Sequence, residues 1–220
     1  MTEELTIRST DGLTLDAALD VPPDPRAVLV FCHPHPQMGG TMNAPLLIAI
    51  SEALVDKGWA VLRFNFRGVG GSEGQSGIGI EEKKDAEGAI AEAKERFPDL
   101  PLAIAGWSFG GAVAVAVAAQ HPELVACVAI APAVEEKPDV TSGLPPASEV
   151  NLQLPLLFLV GMNDRQVDPE VCGRWAEEVG AEFIAMPGGN HFFWGKYDDV
   201  SREVVRFLEL ALEDKGKAVE

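Results

Sequence analysis

The chain is predicted to fold as an α/β protein: a mostly parallel, twisted sheet of about eight strands with an antiparallel N-terminal hairpin and helices on both faces. Three observations predict it. Residues 5–20 alternate apolar and polar on either side of Asp11-Gly12, a pair favoured in tight hairpin turns. Beyond them, short apolar runs recur at strand length, and the stretches between those runs have helical spacing.

The apolar runs are 27–32, 60–64, 102–105, 124–131, 154–160 and 181–186. Each reads as a strand buried on both faces, the kind found inside a parallel sheet. The helical stretches are 45–57, 81–96, 109–120, 169–179 and 199–212. Regular alternation of the two implies right-handed crossovers, with ligands bound at the carboxyl ends of the strands. Residues 132–153 break the rhythm, being rich in Pro, Ser and charge, and read as a surface excursion or short lid. A single domain over residues 1–220 is expected, since this length with 47% hydrophobic residues supplies one substantial core.

Charge narrows the function. The 34 acidic and 17 basic residues give a net charge of −17, so the average field repels phosphate backbones and anionic lipid. Nucleic acid is not an expected partner. The acidity reads as a solubility feature, with steering of cationic substrates as the alternative. Met1-Thr2-Glu3-Glu4 is acidic and polar where a secretory signal would be basic and then apolar. The apolar runs are also shorter than the roughly 20 residues needed to cross a bilayer, so no membrane insertion is expected. Three cysteines, Cys32, Cys127 and Cys172, suit free thiols in a reducing cytoplasm better than a disulfide framework.

The chemistry starts at Gly106-Trp107-Ser108-Phe109-Gly110, which fits G-x-S-x-G. A serine on a sharp strand-to-helix turn presents its hydroxyl only if the residues two positions away lack side chains. With 8 serines and 22 glycines in the chain, chance supplies about 0.08 such matches, and here a strand precedes the motif and a small-residue helix follows. Ser108 is therefore the candidate nucleophile.

Serine needs a neutral imidazole to take its proton. Of the four histidines, His33 and His35 precede the serine and His121 follows it with no intervening strand. His191, in the loop after the last predicted strand, fits the order serine, acid, histidine. The acid should stand just beyond a strand's carboxyl end. Asp164 does so, whereas Asp168, next to Pro169, reads as a helix cap. Asp139, Asp198 and Asp199 lie in polar or helical settings.

An oxyanion would be held by backbone N–H groups: Phe109 at the head of the helix, and a residue of His33-Pro34-His35-Pro36-Gln37. Prolines have no N–H, so His35 comes first and Gln37 second. The side chains of His33 and His35 read as hydrogen-bonding the loop's own backbone. Met38, Trp107 and Phe192 are candidate pocket residues, while Phe193 and Trp194 stay open between pocket and core. No dinucleotide fingerprint forms, because the candidates starting at Gly68 and Gly77 meet Glu73 and Glu82, and no phosphate-binding loop or paired metal-ligand spacing occurs. Neither a cofactor nor a metal is expected.

These signposts resemble the α/β-hydrolase superfamily across nearly the whole chain. The His-Pro-His-Pro loop with Gly39-Gly40-Thr41-Met42, together with the stretch from Phe64-Asn65-Phe66-Arg67 to Gly74, is similar to a group of small bacterial esterases and dienelactone-hydrolase-like proteins with little or no cap. Dienelactone hydrolases usually carry cysteine at the position of Ser108, so the resemblance implies carboxylester cleavage of a small-molecule substrate by an acyl-enzyme. A thioesterase, a small peptidase or a non-catalytic binding protein on the same fold are the alternatives, and a homodimer is left open.

Overall fold

The computed structural model describes residues 1–217. Strands β1 (Thr2–Arg8) and β2 (Thr14–Asp20) form an antiparallel hairpin, followed by β3 (Ala27–Cys32), α1 (Pro45–Val55), β4 (Trp59–Phe64) and α2 (Glu82–Arg96). Then come β5 (Leu102–Trp107), α3 (Phe109–Ala118), β6 (Cys127–Ile130), β7 (Leu156–Gly161), α4 (Pro169–Glu178), β8 (Glu182–Met186) and α5 (Tyr197–Lys217). They make one eight-stranded sheet in the order β1-β2-β4-β3-β5-β6-β7-β8. β2 pairs antiparallel with β4, and every pairing from β4 through β8 is parallel.

Strands β3 to β7 are buried at every residue, because helices cover both faces. One apolar core lies under α2, α3 and α4, with Ile90, Val113, Val117 and Trp175 reaching the sheet. The other lies under α1 and α5, where Leu46, Ile50, Val204 and Leu208 pack on Leu29, Val61 and Leu157. Cys32, Cys127 and Cys172 are buried free thiols, and burial pushes Cys172 up to about 12.

Three sequence expectations are corrected. The first hairpin turns through a five-residue loop, with Ser9 N–H bonded to the Leu13 carbonyl at 3.0 Å, rather than a tight turn at Asp11-Gly12. Gly12 still takes the left-handed conformation, at φ +92°. The run 124–131 yields a strand of only four residues, Cys127–Ile130. The run 181–186 is not buried on both faces: among the described residues β8 is an edge strand paired only with β7, and Phe183 and Ala185 are exposed. An apolar run cannot report whether a neighbour lies on one side or two.

The topology sets where a site can form. From β3 the chain crosses to β4 on one side, and β5 then lies on the other side of β3. The connections after β3 and β5 therefore diverge and leave a crevice at their carboxyl ends. The connection after β4 is held by Arg67, which donates to Asp85 of α2 at 2.7 Å and to both carboxylate oxygens of Asp11 in the hairpin loop.

Residues 132–153 are tied down at several points. Leu144 N–H bonds to the Val134 carbonyl, Ser142 N–H to that of Ile78, and the Trp175 indole to the Pro145 carbonyl. Leu144 and Ala147 are buried on the α4 side. Among the described residues, no helix is long and apolar enough to cross a membrane.

Candidate active site

Ser108 sits between β5 and α3 with φ 56° and ψ −116°, a conformation that L-residues avoid. The flanking glycines make it tolerable. A Cβ on Gly106 would stand 2.0 Å from the Gly110 carbonyl oxygen, and one on Gly110 would stand 2.3 Å from that of His33. The crowding is thus real, and it involves the neighbouring β3 loop as well as the turn itself. Ser108 N–H is anchored to the Ile130 carbonyl at the end of β6 at 2.8 Å.

The hydroxyl of Ser108 lies 2.9 Å from His191 Nε2, and His191 Nδ1 lies 2.8 Å from Asp164 Oδ2. The carboxylate fixes the tautomer: Nδ1 carries the proton and donates it, leaving Nε2 free to accept from the serine. Asp164 has no exposed side-chain surface, and its other oxygen accepts the N–H groups of Gln166 at 2.8 Å and Val167 at 3.0 Å. Asp168 is elsewhere, capping α4 by accepting the Glu170 N–H at 2.8 Å.

The loops carrying acid and imidazole are held together by backbone. Asn163 N–H bonds to the Gly189 carbonyl at 2.8 Å, and Met162 N–H bonds to that of Met186 at 3.0 Å. Trp107 contributes from below, its indole N–H donating to the His191 carbonyl at 3.1 Å. From sequence, Trp107 is only a pocket candidate. Nothing in a linear pattern links an indole before the serine to a carbonyl 84 residues later.

The β3 loop folds back on itself. A Cβ on Gly40 would stand 2.0 Å from the Pro34 carbonyl oxygen. His35 Nδ1 accepts the Gln37 N–H at 3.1 Å and its Nε2 donates to the Val140 carbonyl at 2.8 Å, so Gln37's N–H is already engaged. The N–H groups of His35 and Phe109 have no acceptor among the described residues. The two residues also touch through their rings, with centroids 5.0 Å apart. His33 is wholly buried, its Nδ1 donating to the Pro34 carbonyl at 2.6 Å and its Nε2 accepting the Phe66 N–H at 3.0 Å. Burial holds its pKa down to about 4, so the ring is neutral.

A cavity of about 290 Å³ opens beside Ser108, walled by Met38, Thr41, Pro45, Trp107 and Phe192. Met38, Trp107 and Phe192 thus border the hollow, with Met38 69% exposed at its mouth. Phe193 is fully buried in the core under α5, whereas Trp194 is 68% exposed and stacks on Phe192 at 4.9 Å. The structure therefore separates two aromatic neighbours that the sequence leaves together. Gln166, on the cavity's lip, is not singled out by the sequence, although it lies in the turn that Asp164 builds.

Residues 23–151 match the profile of the family described as serine aminopeptidase S33. An uncharacterised protein of Rickettsia prowazekii, RP471, is 32% identical over 191 residues, covering 82% of this chain and 78% of its own length. Among solved structures, a lidless α/β serine hydrolase of Xanthomonas campestris, XC6422, is 30% identical with a TM-score of 0.83, covering 94% of each chain. A protein of unknown function from Agrobacterium tumefaciens is 26% identical with a TM-score of 0.84, covering 96% of this chain and 97% of that one.

Proposed function

Since the chain belongs to the serine aminopeptidase S33 family of the α/β-hydrolase superfamily, we propose that it is a serine hydrolase cleaving small carboxylic esters through an acyl-enzyme on Ser108. The observation carrying this reading is the unbroken hydrogen-bond chain from the Ser108 hydroxyl through His191 to buried Asp164, opening on a cavity of about 290 Å³.

Ser108 Oγ attacks the ester carbonyl carbon while His191 Nε2 takes the hydroxyl proton, and the imidazolium is stabilised by Asp164. The carbonyl electrons collect on oxygen, which the unengaged amides of Phe109 and His35 stabilise. When the carbon–alkoxy bond breaks, His191 returns the proton to the departing alcohol. Water then repeats the sequence on the acyl-serine: His191 deprotonates it, and Ser108 leaves with that proton as the acid is released. No step needs a metal or an organic cofactor, and the substrate partner is a small ester.

The family description raises the reading of a peptidase acting on free amino termini. An aminopeptidase needs a negative group to hold the substrate's ammonium, and among the described residues lining this cavity none carries a carboxylate. That favours esters. Purified protein should label stoichiometrically at Ser108 with a fluorophosphonate and turn over short p-nitrophenyl esters, and Ser108→Ala should lose both, with kcat down about 10⁴-fold or more. A panel of ester, thioester and amide substrates ranks the alternatives. Folded protein that neither labels nor hydrolyses esters would instead be a binding protein, and the proposal would be wrong.

A further inference from the structure

Adjoining the cavity at Ser108 is a second, wider hollow of about 780 Å³, bordered by Asn163, Asp164, Arg165, Gly188, Asn190 and Trp194. Gln166, His191 and Phe192 border both hollows. An ester with its carbonyl at Ser108 and its acyl part in the smaller cavity can therefore extend its leaving portion over Gln166 and Phe192 into the wider one.

Arg165 marks this second hollow chemically. Seven of the nine arginines pair with carboxylates, and Arg8 donates to the Gly12 carbonyl. Arg165 alone has no hydrogen-bond or ion-pair partner among the described residues, in a chain where acids outnumber bases two to one. A second cation stands nearby without a carboxylate, since Lys137 Nζ donates to the Gln166 carbonyl at 2.7 Å. The negative groups closest in sequence are committed, Asp164 to His191 and two backbone amides, and Asp168 to the cap of α4. At physiological salt, fields fade over about 8 Å, so the direct contact of the free guanidinium with a ligand, rather than the net charge of the chain, decides what binds there. The stacked faces of Phe192 and Trp194 add an exposed flat apolar wall.

The geometry points to a substrate-specificity site: the protein takes esters whose leaving portion is flat and carries an anionic group, a carboxylate or phosphate, held by Arg165 beside Trp194. This rests on the ester reading above and names its substrate class. Guanidinium binds such anions with two parallel N–H donors, and an exposed contact of this kind is worth about three- to tenfold in kcat/KM.

The test compares three acetate esters of equal leaving-group size: 3-acetoxybenzoate, its uncharged amide 3-acetoxybenzamide, and 3-acetoxyphenyl phosphate. At low salt the wild type should prefer both anionic esters over the neutral one by about three- to tenfold, chiefly through KM. Salt at 0.5 M, Arg165→Gln and Arg165→Glu should each bring that ratio toward or below one, with thermal unfolding unchanged in both variants. A preference for the carboxylate alone or the phosphate alone identifies which anion the site is shaped for. Equal turnover of anionic and neutral esters by the wild type, or a ratio that R165Q leaves untouched, overturns the inference while the ester reading stands. If none of the three esters is cleaved, both fall together.

Discussion

Gly161 and Gly189 lie against each other so closely that a Cβ on Gly161 would stand 2.4 Å from the Gly189 carbonyl oxygen. Gly161 ends β7 and leads into the Asp164 loop, and Gly189 precedes His191, so this contact sets the spacing between acid and imidazole. Gly161→Ala must push the two loops apart. Overpacking of this kind costs about 1–3 kcal/mol, a fall in Tm of about 2–12 °C for a chain of this size. The rate of fluorophosphonate labelling should fall further than stability alone explains. A Gly161→Ala variant with wild-type Tm and labelling rate would refute the role assigned to the contact.

Asp164 and Asp168 are distinguished by a pair of variants. In Asp164→Asn the oxygen facing Gln166 and Val167 is retained, but an amide NH₂ can face His191 and favour the wrong tautomer. Ester turnover should drop by about 10³- to 10⁴-fold in a folded protein. Asp168→Ala removes only the cap of α4, costing about 1 kcal/mol, with turnover retained. The reverse pattern in steady-state kinetics would move the acid to Asp168.

His35 holds its loop through two hydrogen bonds while its ring rests on Phe109. His35→Phe keeps the ring and loses both bonds. We expect kcat to fall about tenfold or more with little change in KM, and affinity for a boronic acid transition-state analogue to fall in step. A drop in Tm with unchanged kcat would make the side chain purely structural.

Acid should destabilise the fold through His33. Its folded pKa, about 4, lies below the 6.5 of an exposed imidazole, so between these values the unfolded chain binds more protons. Stability therefore declines as pH falls from 6.5 towards 4, by on the order of 3 kcal/mol over the whole window. Asp11 and Glu123, with folded values of about 2, lose their contributions at lower pH, as their carboxylates protonate below about 4. Urea unfolding at pH 7 and at pH 4.5 measures the slope. His33→Gln, able to accept the Phe66 N–H without titrating, should flatten it, and an equally steep profile in that variant would assign the slope to other groups.

The strand–turn–helix at Ser108 was legible because its cause is local: three residues around one strained turn, with no room for a Cβ on either glycine. His191 followed from chain order, and Asp164 from its place after an apolar run. Less was legible where a residue's role depends on a distant partner. The indole of Trp107 reaching the His191 carbonyl, the His35 ring reaching Val140, and the isolation of Arg165 leave no local signal, since each concerns atoms far apart along the chain.

Sequence by itself determined the alternation of strands and helices and the chemical types at the site, because hydrophobic period and turn sterics act over a few residues. Only the tertiary structure decided which faces were covered, that β8 is an edge, that Phe193 is core while Trp194 faces solvent, and how closely Gly161 approaches Gly189. Those outcomes depend on which surfaces meet when the sheet assembles, and burial is a property of the assembled neighbours rather than of the residue.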